Sequence, residues 1–418
     1  MEKTEIKTYL VSTLKLFFMV VLAGIVVLAA FIAGVAFQRQ RTPVAVTRAP
    51  IVFPTPPTIT TEEDVPGFNV FWEAWNIVES EFYSDIPDQR ERVYGAIRGM
   101  VSTYGDEHTA FIDPTRASVL QEDASGAFEG IGAAVRLDEL GRLVIAEPFP
   151  GRPAAEAGLL RGDVVLEVDG QPLRGLSLYE SVALIRGPAG STVVLTILRE
   201  GEPEPFKVEV VRARIEIEVV QAEMLEGNVG YVSLSEFSSG ASEKLARAIR
   251  DLQKQGATSL ILDLRNNPGG FLSESVAVAS LFLEGGVVVR EEGKDPSYKQ
   301  VYEARGAHVA TDIPMVVLIN RGSASASEIV AGALKDHGRA TIIGEQSFGK
   351  GTVQLPHTLS DGSQLRVTIA QWFTPNGNLI QGEGIIPDVV VEMTQEDALE
   401  GRDPQLDRAV SFLQGSTQ

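Results

Sequence analysis

Cysteine is absent from all 418 residues, which removes both a thiol nucleophile and a disulfide framework. That absence is compatible with either redox compartment. Basic charge is scarce as well: 36 Lys and Arg stand against 56 Asp and Glu, a net charge of −20. A surface of that sign argues against nucleic acid as a partner, because phosphate neutralisation needs cations. Histidine occurs four times. His308, His337 and His357 sit outside any motif that needs a base, and His108 reads as structural. No cluster has metal-ligand spacing, and no cofactor is expected. Long apolar runs are lacking apart from one.

That one run, Leu16 to Phe37, is uncharged and long enough for a helix to cross a hydrocarbon core of about 30 Å. Lys3, Lys7 and Lys15 precede it and Arg39 and Arg41 follow, so charge orients it weakly. Gly34-Val35-Ala36 offers the small residues of a signal-peptide cleavage point. The length of the run favours an uncleaved anchor over a signal peptide. Both readings send the rest of the chain across the membrane, to the periplasmic or cell-surface side.

The remaining chain divides by composition. Residues 1–40 hold the anchor or signal, and 41–67 form a Pro/Thr-rich extended linker. Residues 68–114 show helical spacing of apolar side chains, among them Phe71, Trp75, Val78 and Phe82. Residues 115–214 form a β-rich unit. From 215 to 400 strands and helices alternate, which predicts an α/β core. Ser259 to Leu264 and Met315 to Ile319 read as buried strands, Gly240 to Gln255 and Leu272 to Leu283 as helices. Residues 401–418 remain as a C-terminal tail.

Chemistry concentrates in three places. Ser325 stands in Ser323-Ala324-Ser325-Ala326-Ser327-Glu328, where a strand gives way to a helix. Lys350 stands in Phe348-Gly349-Lys350-Gly351. A serine hydroxyl needs a base, and a lysine serves as one when burial or a neighbouring cation keeps it neutral. Upstream lies Asp263-Leu264-Arg265-Asn266-Asn267-Pro268-Gly269-Gly270. Free N–H groups at a helix start can hold an oxyanion. The Ala326 amide is one donor, and Gly269 or Gly270 supplies the second. Ser323 reads as a helix cap, Ser327 as a residue inside the helix, and Glu328 as serving the helix dipole and local packing.

These three motifs, in this order, resemble the carboxyl-terminal processing peptidases, also called tail-specific proteases. The resemblance runs from about Phe68 to about Glu392. It implies Ser325 as nucleophile, Lys350 as base and Gln354 as the residue that orients the base. It also implies a crotonase-like core of βα units. The expected fold is therefore an α/β protease core with an inserted β-rich PDZ domain, an N-terminal helical segment and a transmembrane helix. By the same resemblance, the segment after Phe68 and the tail after Pro404 supply homodimer contacts.

Phe128 to Arg214 resembles a PDZ domain, through Phe128-Glu129-Gly130-Ile131-Gly132-Ala133 and Gly162-Asp163-Val164-Val165. Gly130, Ile131 and Gly132 occupy the carboxylate-binding loop of such domains, where backbone N–H groups receive a peptide's free C-terminus. Arg186, after the groove helix, is a candidate link between that groove and the catalytic centre. Protein substrates with free C-termini are the implied partners. Two rival functions remain. A catalytically silent PDZ adaptor is disfavoured by the intact Ser, Lys and Gln set. A phosphate loop at Gly344 to Lys350 is disfavoured because Gly351, rather than Ser or Thr, follows the lysine.

Overall fold

The computed structural model describes residues 67–306 and 308–415. The apolar run from Leu16 to Phe37 and most of the Pro/Thr-rich linker lie outside these residues. Among the described residues, no helix is long and apolar enough to cross a membrane. The chain forms two compact units, one ending at Ile86 and one beginning at Pro87.

The first unit contributes the helix Phe68–Glu81. None of its residues is buried. Phe68 and Phe71 stack at 5.1 Å, and Trp72 and Trp75 pack edge-on beside them.

The second unit is built on a six-stranded sheet. Its order is Val220–Leu225, Val229–Leu234, Ser259–Asp263, Met315–Ile319, Thr341–Gly344 and Val389–Val390. The first pair is antiparallel and every later pair parallel. Parallel pairing demands crossovers, which the helices Ala241–Lys254, Leu272–Ser280 and Ala326–Asp336 supply. Both faces of the sheet are covered, which is why Ser259–Asp263 and Met315–Ile319 read as unbroken apolar runs and are buried throughout. Leu260, Leu262 and Val317 face the three crossover helices. Ile261, Val316 and Leu318 face the C-terminal helix Pro404–Gly415, through Ala409 and Leu413. The tail expected to make dimer contacts thus spends its apolar face on the sheet.

A second, antiparallel sheet carries the lysine turn. Thr352–Thr358 pairs with Gln364–Phe373, whose other edge pairs with Ala110–Ile112 and Val287–Gly293. The strand Thr352–Thr358 contains Pro356 and continues through it. Thr352–Thr358 pairs on one side only, and an edge strand tolerates a proline because no ladder bond is lost.

The PDZ unit is a sheet of Ala133–Leu137, Leu143–Pro148, Val164–Val168, Thr192–Leu198 and Phe206–Val211. Leu143, Ile145, Val193, Leu195 and Ile197 fill its core. The helix Leu178–Ile185 opens with a capping box of Ser177 and Glu180. The chain runs in along Ala127–Gly130 and out along Ala213–Glu216, and these strands pair with each other. That pairing is the physical form of a domain inserted into a host.

One polar cluster fastens the C-terminal helix to the loop that follows the strand Ser259–Asp263. Arg265 donates to both carboxylate oxygens of Asp263 and of Asp403, and also to Gln405. The Arg265 and Asp263 side chains are 12% and 7% exposed. Burial opposes the charge of Asp403, but the hydrogen bond and charge of Arg265, with the amides of Leu406 and Gln405, together outweigh this and hold it below the ordinary carboxylate range. Its stabilising contribution is complete above the unfolded carboxyl pKa and is lost as pH falls through the lower folded value. Arg265→Met strands two carboxylates, and the expected loss is about 3–5 kcal/mol in denaturant unfolding. Asp403→Asn should cost less, and stability should then fall less steeply on acidification.

Candidate active site

The buried strand Met315–Ile319 runs through a tight turn into the helix Ala326–Asp336. Ser325 is the last residue before the helix, at φ 54° and ψ −109°. A positive φ outside glycine costs of order 1–3 kcal/mol and persists only where surroundings impose it. Here they do. Ala324 N–H donates to Asn267 O at 3.0 Å, and Ser327 Oγ donates to the same carbonyl at 2.9 Å. Ser323 is not a helix cap. Its hydroxyl donates to Leu264 O and accepts from Asn320 N–H, joining the turn to the neighbouring loop. Ser323 and Ser327 are fully buried and committed to the backbone, whereas Ser325 is half-buried.

Glu328 does more than serve the helix dipole. Its carboxylate is fully buried and accepts four hydrogen bonds. Oε2 takes Ser325 N–H at 2.7 Å and Lys350 N–H at 3.0 Å. Oε1 takes Ser347 Oγ and Gly349 N–H, each at 2.6 Å. Burial pushes its pKa up, and the four donors oppose this. One oxygen atom thus anchors both the serine turn and the lysine turn.

The lysine turn is shaped by close backbone approach. A Cβ on Gly351 would lie 2.1 Å from Gln381 N, and Gly349 adopts φ 88° beside Gly382. The Gly-Lys-Gly sequence is therefore needed to seat Lys350 against residues 381–382. The strand Thr352–Thr358 follows the lysine, where a phosphate loop needs a helix. Lys350 is half-buried. Burial first, and the nearby Arg366 guanidinium second, lower its pKa; Glu328 works the other way. Gln354 lies further along this strand. Its amide nitrogen donates to Thr352 Oγ1 at 2.6 Å and to Thr368 Oγ1 at 3.4 Å. Among its described hydrogen bonds none reaches Lys350, so orientation of the base by Gln354 has no direct contact behind it here.

The two glycines divide their roles. Gly269 N–H donates to Asn267 Oδ1 at 2.9 Å and is thereby occupied. A Cβ there would lie 2.8 Å from Ser325 Cβ and 3.0 Å from Ala326 N, so only glycine admits the serine turn. Gly270 bridges to Phe237, and a Cβ on it would meet Phe237 O at 2.4 Å. Among the described residues, neither Gly270 N–H nor Ala326 N–H donates to a protein acceptor. These two amides are available to a developing oxyanion. Asn267, which the motif contained but no role was assigned to, sets this division.

The PDZ groove has a volume of about 810 Å³ and is lined by Gly130, Ile131, Gly132, Tyr179, Val182 and Arg186, among others. The carbonyls of Ile131 and Gly132 accept from Ala154 N–H and Phe149 N–H. Their own N–H groups have no described protein acceptor. Gly132 has φ 73°, and a Cβ would lie 2.7 Å from Arg152 Cβ. Arg186 caps the groove helix. Its guanidinium pairs with Glu122 at 3.0 Å and Asp123 at 2.5 Å and lies 4.4 Å from the Phe128 ring centroid.

Gly270→Ala should displace the Gly270 amide through its clash with Phe237 O. The expected result is a fall in kcat of at least about 100-fold, the cost of one oxyanion donor. Peptide binding to the PDZ groove, measured by fluorescence anisotropy, should be unchanged.

Comparison with known proteins agrees with this arrangement. Residues 228–391 match peptidase family S41, and residues 144–199 match a PDZ domain. The chain is 40% identical over 328 residues to a carboxy-terminal-processing protease of Bartonella bacilliformis, covering 78% of this chain and 75% of that protein. It is 35% identical over 350 residues to the carboxy-terminal processing protease CtpA of Bacillus subtilis, covering 84% and 73%. An S41 protease structure from Bacteroides fragilis shares the fold, with a TM-score of 0.51, 19% identity and coverage of 83% and 98%. With two long relatives above 30% identity, a serine and a lysine turn joined by one buried carboxylate, and an inserted PDZ unit, the chain belongs to peptidase family S41, the carboxy-terminal processing serine proteases.

Proposed function

We propose that the protein is an endopeptidase in which Ser325 attacks the substrate carbonyl and Lys350 is the general base. The observation that carries this reading is the Glu328 carboxylate, which ties Ser325 N–H and Lys350 N–H to one oxygen beside a half-buried amine. Neutral Lys350 Nζ takes the hydroxyl proton as Oγ bonds to the carbonyl carbon. The amides of Ala326 and Gly270 receive the oxyanion. The lysine ammonium then protonates the departing amine, leaving an acyl-enzyme. Water, deprotonated by the now neutral Lys350, attacks the acyl carbon, and the lysine ammonium returns that proton to Ser325 Oγ as the product acid leaves. Gln354 acts at one remove, by fixing Thr352 on the strand that follows the base.

Substrates are proteins whose free C-terminal carboxylate enters the groove at Ile131 and Gly132. Arg186 links that groove to the catalytic loop by contiguous contacts. It pairs with Asp123. The next residue's carbonyl, on Ala124, accepts Ser239 N–H. Phe237, two residues before Ser239, donates to Gly269 O. The apolar run from Leu16 to Phe37 anchors the enzyme, with its catalytic part outside the cytoplasm, and the exposed aromatic helix after Gly67 supplies dimer contacts.

The proposal is tested on the full-length chain with peptides bearing free or amidated C-termini. Ser325→Ala should abolish cleavage and retain peptide binding. Lys350→Arg should be inactive, because a guanidinium keeps its proton at any working pH. Wild-type kcat/KM should rise with pH through the lowered Lys350 pKa and level off. Amidation should slow cleavage. An active Arg variant would remove Lys350 from the mechanism, and equal rates on both peptides would remove the groove from substrate recognition.

A further inference from the structure

The two amides available to an oxyanion come from different loops. Gly270 belongs to the loop after the strand Ser259–Asp263, and Ala326 follows the turn after Met315–Ile319. An oxyanion hole works only while its donors keep their mutual position, so the ties between the two loops decide whether it works. On the buried side the tie is Asn267, whose carbonyl accepts Ala324 N–H and Ser327 Oγ. On the outer side the tie is Asn320.

Asn320 is the first residue after the strand Met315–Ile319 and is half-buried. Its Oδ1 accepts Asn266 N–H and Gly322 N–H, each at 2.9 Å. The Gly322 bond is a local Asx-turn, but the Asn266 bond crosses to the glycine loop. Both lone pairs of one oxygen are therefore spent on joining the two loops. Its Nδ2 donates to Asn266 Oδ1, also at 2.9 Å. Its backbone closes the serine turn: Asn320 N–H donates to Ser323 Oγ, and its carbonyl accepts Ser323 N–H. Asn266 adopts φ 56°. Asparagine tolerates the left-handed region because its short amide bonds nearby, and here that amide is engaged by Asn320. The fit is close, since a Cβ on Gly322 would lie 2.8 Å from Asn266 Cα. The Asn266 end of this tie leads along the chain to Gly270, and the Gly322 end leads to Ala326.

We propose that Asn320 is a positioning residue for the reaction: by holding Asn266 and Gly322 together, its side-chain oxygen fixes the Gly270 amide against the Ala326 amide. The proposal rests on reading those amides as oxyanion donors and Ser325 as the nucleophile. Asn320 acts through the two loops and not on the substrate. Without its side chain the glycine loop keeps the buried tie through Asn267 and loses the outer one. The Gly270 amide can then swing away from the oxygen on which charge develops. Binding of the uncharged ground state does not depend on that charge, so the loss falls on kcat and not on KM.

The test compares the full chain with Asn320→Ala, Asn320→Asp and Asn266→Gly. The substrate is a free C-terminal peptide, and the inhibitors are a peptide aldehyde and the matching alcohol. With the aldehyde, Ser325 Oγ bonds to the carbonyl carbon, its proton passes to Lys350, and the former carbonyl oxygen takes the charge. The alcohol binds without forming an oxyanion. Asn320→Ala should lower kcat about tenfold or more, with KM within about twofold. Aldehyde affinity should fall by a similar factor while alcohol affinity holds. Asn320→Asp keeps an acceptor for both amides, and Asn266 can turn its own amide to donate, so kcat should return to within about threefold of wild type. Asn266→Gly keeps the left-handed backbone and its N–H but loses one bond. It should fall between the two, and it carries the same comparison if Asn320→Ala does not fold. Wild-type kcat in Asn320→Ala would overturn the proposal. So would a lowered kcat with unchanged aldehyde affinity, which is what a mere loss of folded enzyme gives. Cleavage by Ser325→Ala would instead overturn the reading on which the proposal rests.

Discussion

The active site depends on one buried carboxylate. Glu328 belongs to the first turn of the helix that begins after Ser325, and it reaches back to the serine's own amide and outward to the lysine turn. A carboxylate without solvent is tolerable only when its lone pairs are filled, and here Ser325, Ser347, Gly349 and Lys350 fill them. The arrangement works in both directions. The donors make the buried charge admissible, and the charge makes the left-handed backbone of Ser325 admissible. Ser347 is fixed in turn, since its hydroxyl accepts Ile385 N–H while donating to Glu328.

Much of this was legible in the chain, and the reason differs by feature. The parallel strands were visible because burial on both faces leaves apolar runs such as Leu260 to Leu262. The PDZ unit and the serine and lysine turns were visible because glycine marks close backbone approach, as at Gly351 and Gly132. What stayed hidden was non-local. Nothing in the order of residues tells that Arg265 meets Asp403, or that Tyr94 donates to Asp361. The choice between Gly269 and Gly270 needed the position of the Asn267 side chain. Val287–Gly293 and Lys299–Glu303 escaped notice because charged residues such as Arg290, Glu292 and Lys299 interrupt their apolar alternation.

Electrostatics in this protein are local rather than global. A large negative net charge describes the chain, yet the acid at the lysine turn, Glu328, is buried and filled by three amides and the Ser347 hydroxyl. The two polar clusters divide the labour. Arg265 with Asp263 and Asp403 locks the sheet to the C-terminal helix, a matter of stability. Glu328 joins the serine turn to the lysine turn, a matter of geometry at the candidate site. Between them lies Asn267. Its side chain holds Gly269 and Leu234, and its carbonyl holds Ala324 and Ser327.

The central claim is that Glu328 keeps the serine and lysine turns together. Hydrogen exchange on the full-length protein and on Glu328→Ala, followed in the peptides containing Ser325 and Lys350, tests it directly. The account predicts that exchange accelerates in both peptides together, with cleavage lost and the PDZ strands and the central sheet unchanged. Retained cleavage, or acceleration around Ser325 with the Lys350 turn still protected, would contradict it.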